Sequence, residues 1–302
     1  SEIALFLTTE QQIIDVKKKL PISENDKISL NDALEIDNGI FLLYLSKIYK
    51  ELELVELIPE TKYYLTLLDV KSNKAIESLH FYTLSEEPKS QAKYIVFKNM
   101  NHKETGILFK KGDGNNRVVL VSTDKNMSLP EDGKYYKANS TYGSFESAVG
   151  KNTYCVYNGD GFEAKVTGLE GEKNYYYRVF EYNGDGRTCN YLISKENQNP
   201  RRKMTPLAPP KALPPEEVTE DGFLARWEKV KGAVFYEFDI ASDKNFMNII
   251  EPYNHMDVGN IDGMMAIELE PGDYYYRVRA VSKKSRSVFS DVIKVELKND
   301  VK

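Results

Sequence analysis

The stretch Leu269-Glu270-Pro271-Gly272-Asp273-Tyr274-Tyr275-Tyr276-Arg277-Val278-Arg279-Ala280 decides the fold. A leucine and a tight turn lead into a tyrosine-rich run in which alternate residues are apolar. Tyr274, Tyr276, Val278 and Ala280 fall on one face of a period-two strand. The same line stands earlier as Leu169-Glu170-Gly171-Glu172-Lys173-Asn174-Tyr175-Tyr176-Tyr177-Arg178-Val179, with Tyr175, Tyr177 and Val179 on the matching face. It stands earlier still as Leu57-Ile58-Pro59-Glu60-Thr61-Lys62-Tyr63-Tyr64-Leu65-Thr66-Leu67. A motif recurring about every hundred residues announces an array of similar domains.

Composition agrees. The chain has 302 residues, 41% apolar and 12% aromatic with 21 Tyr, and the aromatics sit in short runs parted by Gly, Asn, Asp and Pro. That pattern indicates an all-β protein of two or three domains. The net charge of -5 is spread along the chain without a basic block, against a nucleic-acid footprint. Lys17-Lys18-Lys19 is short and reads as a solvated face. No apolar run approaches a membrane span, and Ile3-Ala4-Leu5-Phe6-Leu7 is too short for a signal-peptide core. Cys155 and Cys189 supply neither a disulfide framework nor a zinc site, which leaves either a single bridge between them or two free thiols.

Taken in order, residues 1–84 form a first segment whose second half matches residues 153–182 without a gap. Phe41-Leu42-Leu43-Tyr44-Leu45 lies over Thr153-Tyr154-Cys155-Val156-Tyr157, and Leu57 on Leu169. Ala4-Leu5-Phe6-Leu7-Thr8-Thr9 resembles Val118-Val119-Leu120-Val121-Ser122-Thr123, so this first copy lacks anything like residues 91–116. Thr9 to Lys19 is expected to make a short helix. Ser85 to Ser90 reads as a linker. The second segment, 91–203, is the most complete, with strands at 94–97, 107–109, 117–121, 154–157, 163–169 and the tyrosine run, and a last one starting at Tyr191-Leu192-Ile193. A joint with Pro206, Pro209, Pro210, Pro214 and Pro215 leads through an edge strand into the third segment, 208–298.

Short strands with Trp227 on the second and a Leu-to-Tyr spacing before the sixth resemble the fibronectin type III sandwich. The resemblance implies that Tyr63, Tyr175 and Tyr274 are tyrosine corners, the third with a turn one residue shorter. Phe109-Lys110-Lys111-Gly112-Asp113-Gly114-Asn115-Asn116-Arg117, Tyr154-Cys155-Val156-Tyr157-Asn158-Gly159 and Tyr182-Asn183-Gly184 resemble a variant found in secreted and surface proteins of Bacteroidetes, with Phe109 where that group has Trp. It implies an extracellular or cell-surface setting. The expected fold is therefore tandem fibronectin type III-like sandwiches, the first incomplete.

Catalytic material is scarce. His80, His102 and His255 lie in different segments without metal-ligand spacing, and no nucleophile elbow, phosphate loop or His-Glu-x-x-His is present. The turns Asn158-Gly159-Asp160-Gly161 and Asn183-Gly184-Asp185-Gly186, with Asp113 nearby, offer oxygens for weak calcium binding. Their simpler reading is that Asn-Gly and Asp-Gly supply positive φ for hairpins, and no cofactor is expected. The outward face of the second tyrosine strand, Tyr176, Arg178, Phe180 and Tyr182, is the candidate binding surface for a protein or glycan, set against ordinary packing beneath a neighbouring segment.

These readings point to a non-catalytic surface array that spaces a neighbouring domain or binds a partner. The alternatives are an accessory C-terminal region of a secreted hydrolase and a glycan-binding module. For the missing opening strands three explanations stand. Upstream residues once supplied them, a partner donates a strand, or residues 10–40 cover the gap in a reduced sandwich.

Overall fold

The computed structural model describes residues 3–10, 27–29, 34–37, 40–46 and 53–298. The helix expected from Thr9 to Lys19 lies, beyond Glu10, outside them. Among the described residues the only regular helices are 3₁₀ turns at Phe145–Ser147 and Gly186–Thr188, and no helix is long and apolar enough to cross a membrane.

The first group of strands is β1 (Ile3–Thr8), β2 (Lys27–Ser29), β3 (Leu34–Asp37), β4 (Ile40–Ser46), β5 (Glu53–Val55), β6 (Lys62–Asp69) and β7 (Lys74–Tyr82). The second is β8 (Lys93–Lys98), β9 (Thr105–Lys110), β10 (Asn116–Ser122), β11 (Ala148–Gly150), β12 (Thr153–Gly159), β13 (Glu163–Val166), β14 (Asn174–Asn183), β15 (Asn190–Tyr191) and β16 (Arg201–Met204). The third is β17 (Ala212–Glu216), β18 (Phe223–Trp227), β19 (Phe235–Ala241), β20 (Met256–Asp257), β21 (Gly263–Ala266), β22 (Gly272–Val281) and β23 (Ile293–Leu297).

In the second group, β13-β9-β8 is one sheet and β11-β12-β10-β14 the other, with β15 and β16 both paired to β14. The third group repeats this as β17-β18-β21 against β20-β19-β22-β23. Each pair of sheets closes on one core, to which the central strands turn an apolar side. In the second sandwich that core joins Ile107, Phe109, Val119, Val121, Tyr175, Tyr177 and Val179. In the third it joins Phe223, Trp227, Phe238, Tyr276 and Val278. These are tandem all-β sandwiches.

The first group has the corresponding strong sheet, β3-β4-β1-β6-β7. Opposite it, among the described residues, stands the parallel pair β2–β5 and no three-stranded sheet. Leu54, on β5, packs with Leu57 against the cluster of Leu7, Leu43 and Tyr63. The repeat is visible in detail: the ladders of β1 with β4 and of β10 with β12 both shift register at the matching step, Leu5/Phe6 and Val119/Leu120.

The corners form as the spacing requires. Tyr63 Oη accepts from the amide of Ile58 at 3.0 Å and Tyr175 Oη from that of Glu170 at 2.9 Å, each five residues back. Tyr274 Oη donates to the carbonyl of Glu270 at 2.9 Å, four residues back. The shorter turn changes which backbone group meets the phenol, not the principle. Pro214 and Pro215 lie on the edge strand β17, whose pairing with β18 skips from Leu213 to Glu216; prolines without amide donors fit only such a bulge.

Both joints are fastened. The amide of Ser85 donates to the Thr188 carbonyl at 2.8 Å. The side-chain amides of Asn190 and Asn183 donate to the carbonyls of Ser85 (2.7 Å) and Glu86 (2.8 Å). Asp113 Oδ1 accepts from the amides of Lys89 and Ser90. Here Gly112 is obligatory, since a Cβ would meet the Ser90 carbonyl oxygen at 2.0 Å. At the second joint Glu172 Oε1 accepts from the hydroxyls of Ser282 and, at 3.0 Å, Ser285, while the Leu207 amide donates to Ser285 Oγ at 3.1 Å. Leu207 itself is buried in the third core.

Candidate ligand-binding site

β14 is the centre of the second sandwich, and its two faces meet different fates. Tyr175, Tyr177 and Val179 enter the inter-sheet core, as their alternation demands. For the outward face the sequence offers a binding surface or ordinary packing beneath a neighbour. At Phe180 and Tyr182 packing is the outcome, and these two are no binding surface: both are buried with Val118, Leu120, Cys155, Cys189 and Tyr191 in a second cluster. Met127, Tyr136, Ala138 and Val149, from the long crossing after β10, and Ile193 form its lid. Tyr182 Oη is satisfied by Asn158 Oδ1 at 2.6 Å. Phe180 and Tyr182 are therefore packing residues, because the crossing folds back over the sheet and removes their apolar area from water.

Cys155 and Cys189 are both free and both buried in this cluster. Burial pushes the Cys155 thiol up to about 12 and raises that of Cys189 as well.

The lid stops short of Tyr176 and Arg178, and the reason is the last strand. Instead of one continuous edge, β15 ends at Tyr191 and pairing to β14 resumes only at β16. Buried amides fill the interval. The Asn199 side chain bonds the amide and the carbonyl of Val179 at 3.0 and 2.8 Å, and Gln91 Oε1 accepts from the amide of Glu181 at 2.8 Å. The departing carbonyls of Ile193 and Ser194 accept from Arg178 Nη2, the latter at 3.1 Å.

Where the edge departs, a cavity of about 520 Å³ opens. Tyr176 and Arg178 form part of its wall, with Lys125, Asn126, Met127 and Leu129 from the crossing and Lys195, Pro200, Arg201 and Arg202 from the interrupted edge. Five of these ten residues are Lys or Arg and none is Asp or Glu. Asp124 and Glu196 are neighbours in sequence, but their carboxylates accept backbone amides of their own turns, Asn126 and Asn197.

Arg178 is 5% exposed. Its guanidinium lies 4.3 Å from the Phe180 ring centroid, and burial lowers its pKa. Its Nε–H has no acceptor. Among the described residues no carboxylate pairs with it. The sequence named Tyr176 and Arg178; Lys125, Lys195 and Arg202 it did not, because only the interrupted edge and the crossing bring them together.

The glycine-rich turns serve the frame. Arg117 and Glu181, 2% and 0% exposed, form a two-pronged pair at 3.1 Å, and Glu181 also accepts from the amide of Gly112. Arg117 spends its remaining donors on the carbonyls of Gly114, Asp160 and Gly161. Asp185 caps the 3₁₀ turn through the amide of Gly186, and Gly184 has the positive φ of 85° that its turn needs. The carbonyls of the first turn thus face a guanidinium, and among the described residues no three His, Cys, Asp or Glu side chains gather as a metal site. His80 lies between Tyr64, at a tilt, and Tyr82, edge to face, and His255 Nδ1 lies 2.9 Å from Asp239.

No protein-family model matches this sequence, and no curated protein does. Among solved structures it is similar to a two-domain fibronectin type III segment of chicken tenascin, at 12% identity over 68% of this chain and 99% of that one, with a TM-score of 0.36. It is also similar to the FN1–FN3 domains of chicken CNTN1, at 12% identity over 98% and 91% of the two chains, with a TM-score of 0.29. The sandwich assignment rests on the sheets and corners described above.

Proposed function

We propose that this chain is a non-catalytic array of three fibronectin type III-like modules, within about 1–84, 91–203 and 208–298, that holds attached domains at set separations in an extracellular or cell-surface protein and carries a partner site on its second module. The observation that supports the spacing role is the fastening of both joints. A hinge leaves its linker polar groups to water, whereas Ser85, Glu86, Lys89 and Ser90 are bonded to the second module, and Glu172 receives two hydroxyls of the third.

Spin labels at the exposed positions Lys74, Lys151 and Lys244, introduced as cysteines, test this. The expected result is narrow inter-label distance distributions that broaden at the first joint in Asn190→Ala and at the second in Glu172→Ala. Distributions in the parent chain as broad as those of the variants would contradict the spacer reading.

A further inference from the structure

The second and third modules carry the same arginine in the same line, Tyr175-Tyr176-Tyr177-Arg178-Val179 and Tyr274-Tyr275-Tyr276-Arg277-Val278. Their surroundings differ, first of all in the counter-ion. On the strand beside Arg277 the opposed residue is Asp239; beside Arg178 it is Leu120. Asp239, 0% exposed, receives Arg277 Nε and Nη2 at 2.8 Å each. Rings of Phe246 and Phe289 cover the Arg277 guanidinium at 4.0 and 3.8 Å. Arg178 has one ring, two carbonyls, an idle Nε–H, and a cavity in place of the second ring.

A buried guanidinium with no counter-charge is an unfavourable arrangement unless something supplies one. The surrounding charges sharpen the demand. Lys125, Lys195 and Arg202 are exposed on the rim and, among the described residues, none makes an ion pair. Residues 91–203 hold 18 Lys and Arg against 13 Asp and Glu, whereas the rest of the chain holds 23 against 33, so the excess of cations belongs to this module alone.

We propose that the cavity over Tyr176 and Arg178 binds an acidic peptide segment of a partner protein, whose carboxylate stands to Arg178 as Asp239 stands to Arg277. This rests on the second module's carrying a partner site. The lining favours a peptide over a neutral sugar. It offers cationic donors and the single amide Asn126 but no carboxylate acceptor for hydroxyls, and Met127, Pro200 and the 42%-exposed Leu129 present apolar area that suits a side chain next to an acidic residue. The rim lysines steer and Arg178 anchors.

The test uses the full chain and a fluorescein-labelled peptide Glu-Leu-Glu-Glu-Leu-Glu, read by anisotropy in low salt. Saturable binding is expected, weakening as salt screens the rim. The double variant Lys195→Glu/Arg202→Glu, both exposed, should lose at least tenfold in affinity with an unchanged melting temperature. Arg178→Met, which keeps the bulk against Phe180, should abolish binding while remaining folded by circular dichroism. If Arg178→Met does not fold, the rim variant alone decides. The proposal is overturned by no saturable binding, by binding indifferent to the rim charges, by equal binding of the Lys-for-Glu peptide, or by a sulfated oligosaccharide that binds where the peptide does not. The label distances at the two joints are independent of these outcomes, so a failure here is distinguishable from a failure of the spacer reading.

Discussion

Strands β14 and β22 share the run Tyr-Tyr-Tyr-Arg-Val and solve the same difficulty in opposite ways. Both place a Tyr-x-Tyr-x-Val line inward, and both put an arginine on the outward side at the same step. In β22 the outward residues are satisfied within the module: Arg277 by Asp239, Arg279 by Glu237 Oε2 at 2.5 Å, and Phe289 lies over both guanidiniums. In β14 the lower half, Phe180 and Tyr182, is sealed by the crossing, and the upper half, Tyr176 and Arg178, is left beside a cavity with no carboxylate. One module closes its electrostatics. Its neighbour leaves them open, and that difference locates a site where an inventory of catalytic motifs locates none.

Removing the internal counter-ion separates the two strands most strongly. Asp239→Leu leaves the half-buried Arg277 unpaired beneath its two rings and deprives the His255 amide of its acceptor. A loss of about 3–5 kcal/mol is expected in denaturant unfolding of the third module. Arg178→Met strands no carboxylate, and only the Ile193 and Ser194 carbonyls lose a donor, so its cost should be about 1–2 kcal/mol. Equal costs for the two would show that Arg178 has a partner after all.

Alkaline pH gives the next effect. The thiol of Cys155 and the phenol of Tyr276 are each raised by burial to about 12. Between their ordinary values, about 8.5 and 10, and about 12 the unfolded chain binds fewer protons than the native one. Stability therefore falls as pH rises through that window. Urea midpoints measured at pH 8 and pH 11 should differ in that direction, and thiol reagents should reach Cys155 and Cys189 only on unfolding.

Tyr175→Phe and Tyr274→Phe each remove one corner hydrogen bond, and about 1 kcal/mol is expected from either, although one phenol accepts and the other donates. The smallest effect belongs to Lys137→Ala. Its partner Glu146 at 2.7 Å is, like the lysine, mostly exposed, and the change should leave the urea midpoint where it is. A loss as large as that of a corner would be unexpected.

The frame was legible in the sequence because its signals are local. A leucine, a turn and alternate tyrosines fix both strand and corner, and the bulge at Leu5/Phe6 and Val119/Leu120 falls where the two copies were aligned. The candidate site was half legible. Tyr176 and Arg178 follow from alternation alone. What covers Phe180 and Tyr182 is not legible, because the lid residues Met127, Tyr136 and Ala138 sit in a stretch with no strand or helix period, and nothing local says that it folds back. The basic rim was hidden for a related reason. Lys125, Lys195 and Arg202 are joined only by a gap in the edge strand, and the whole-chain charge of -5 conceals them. The decisive substitution, Leu120 where the third module has Asp239, is visible only when the pairing register is known.

The most direct test of an unpaired Arg178 is its Nε–H itself. In proton–nitrogen correlation spectra of the full chain, titration with the acidic peptide should shift the Arg178 Nε–H resonance, while Arg277, already held by Asp239, stays in place. An Arg178 signal unmoved by the peptide would contradict an open site at Arg178, as would one that moves no more than Arg277.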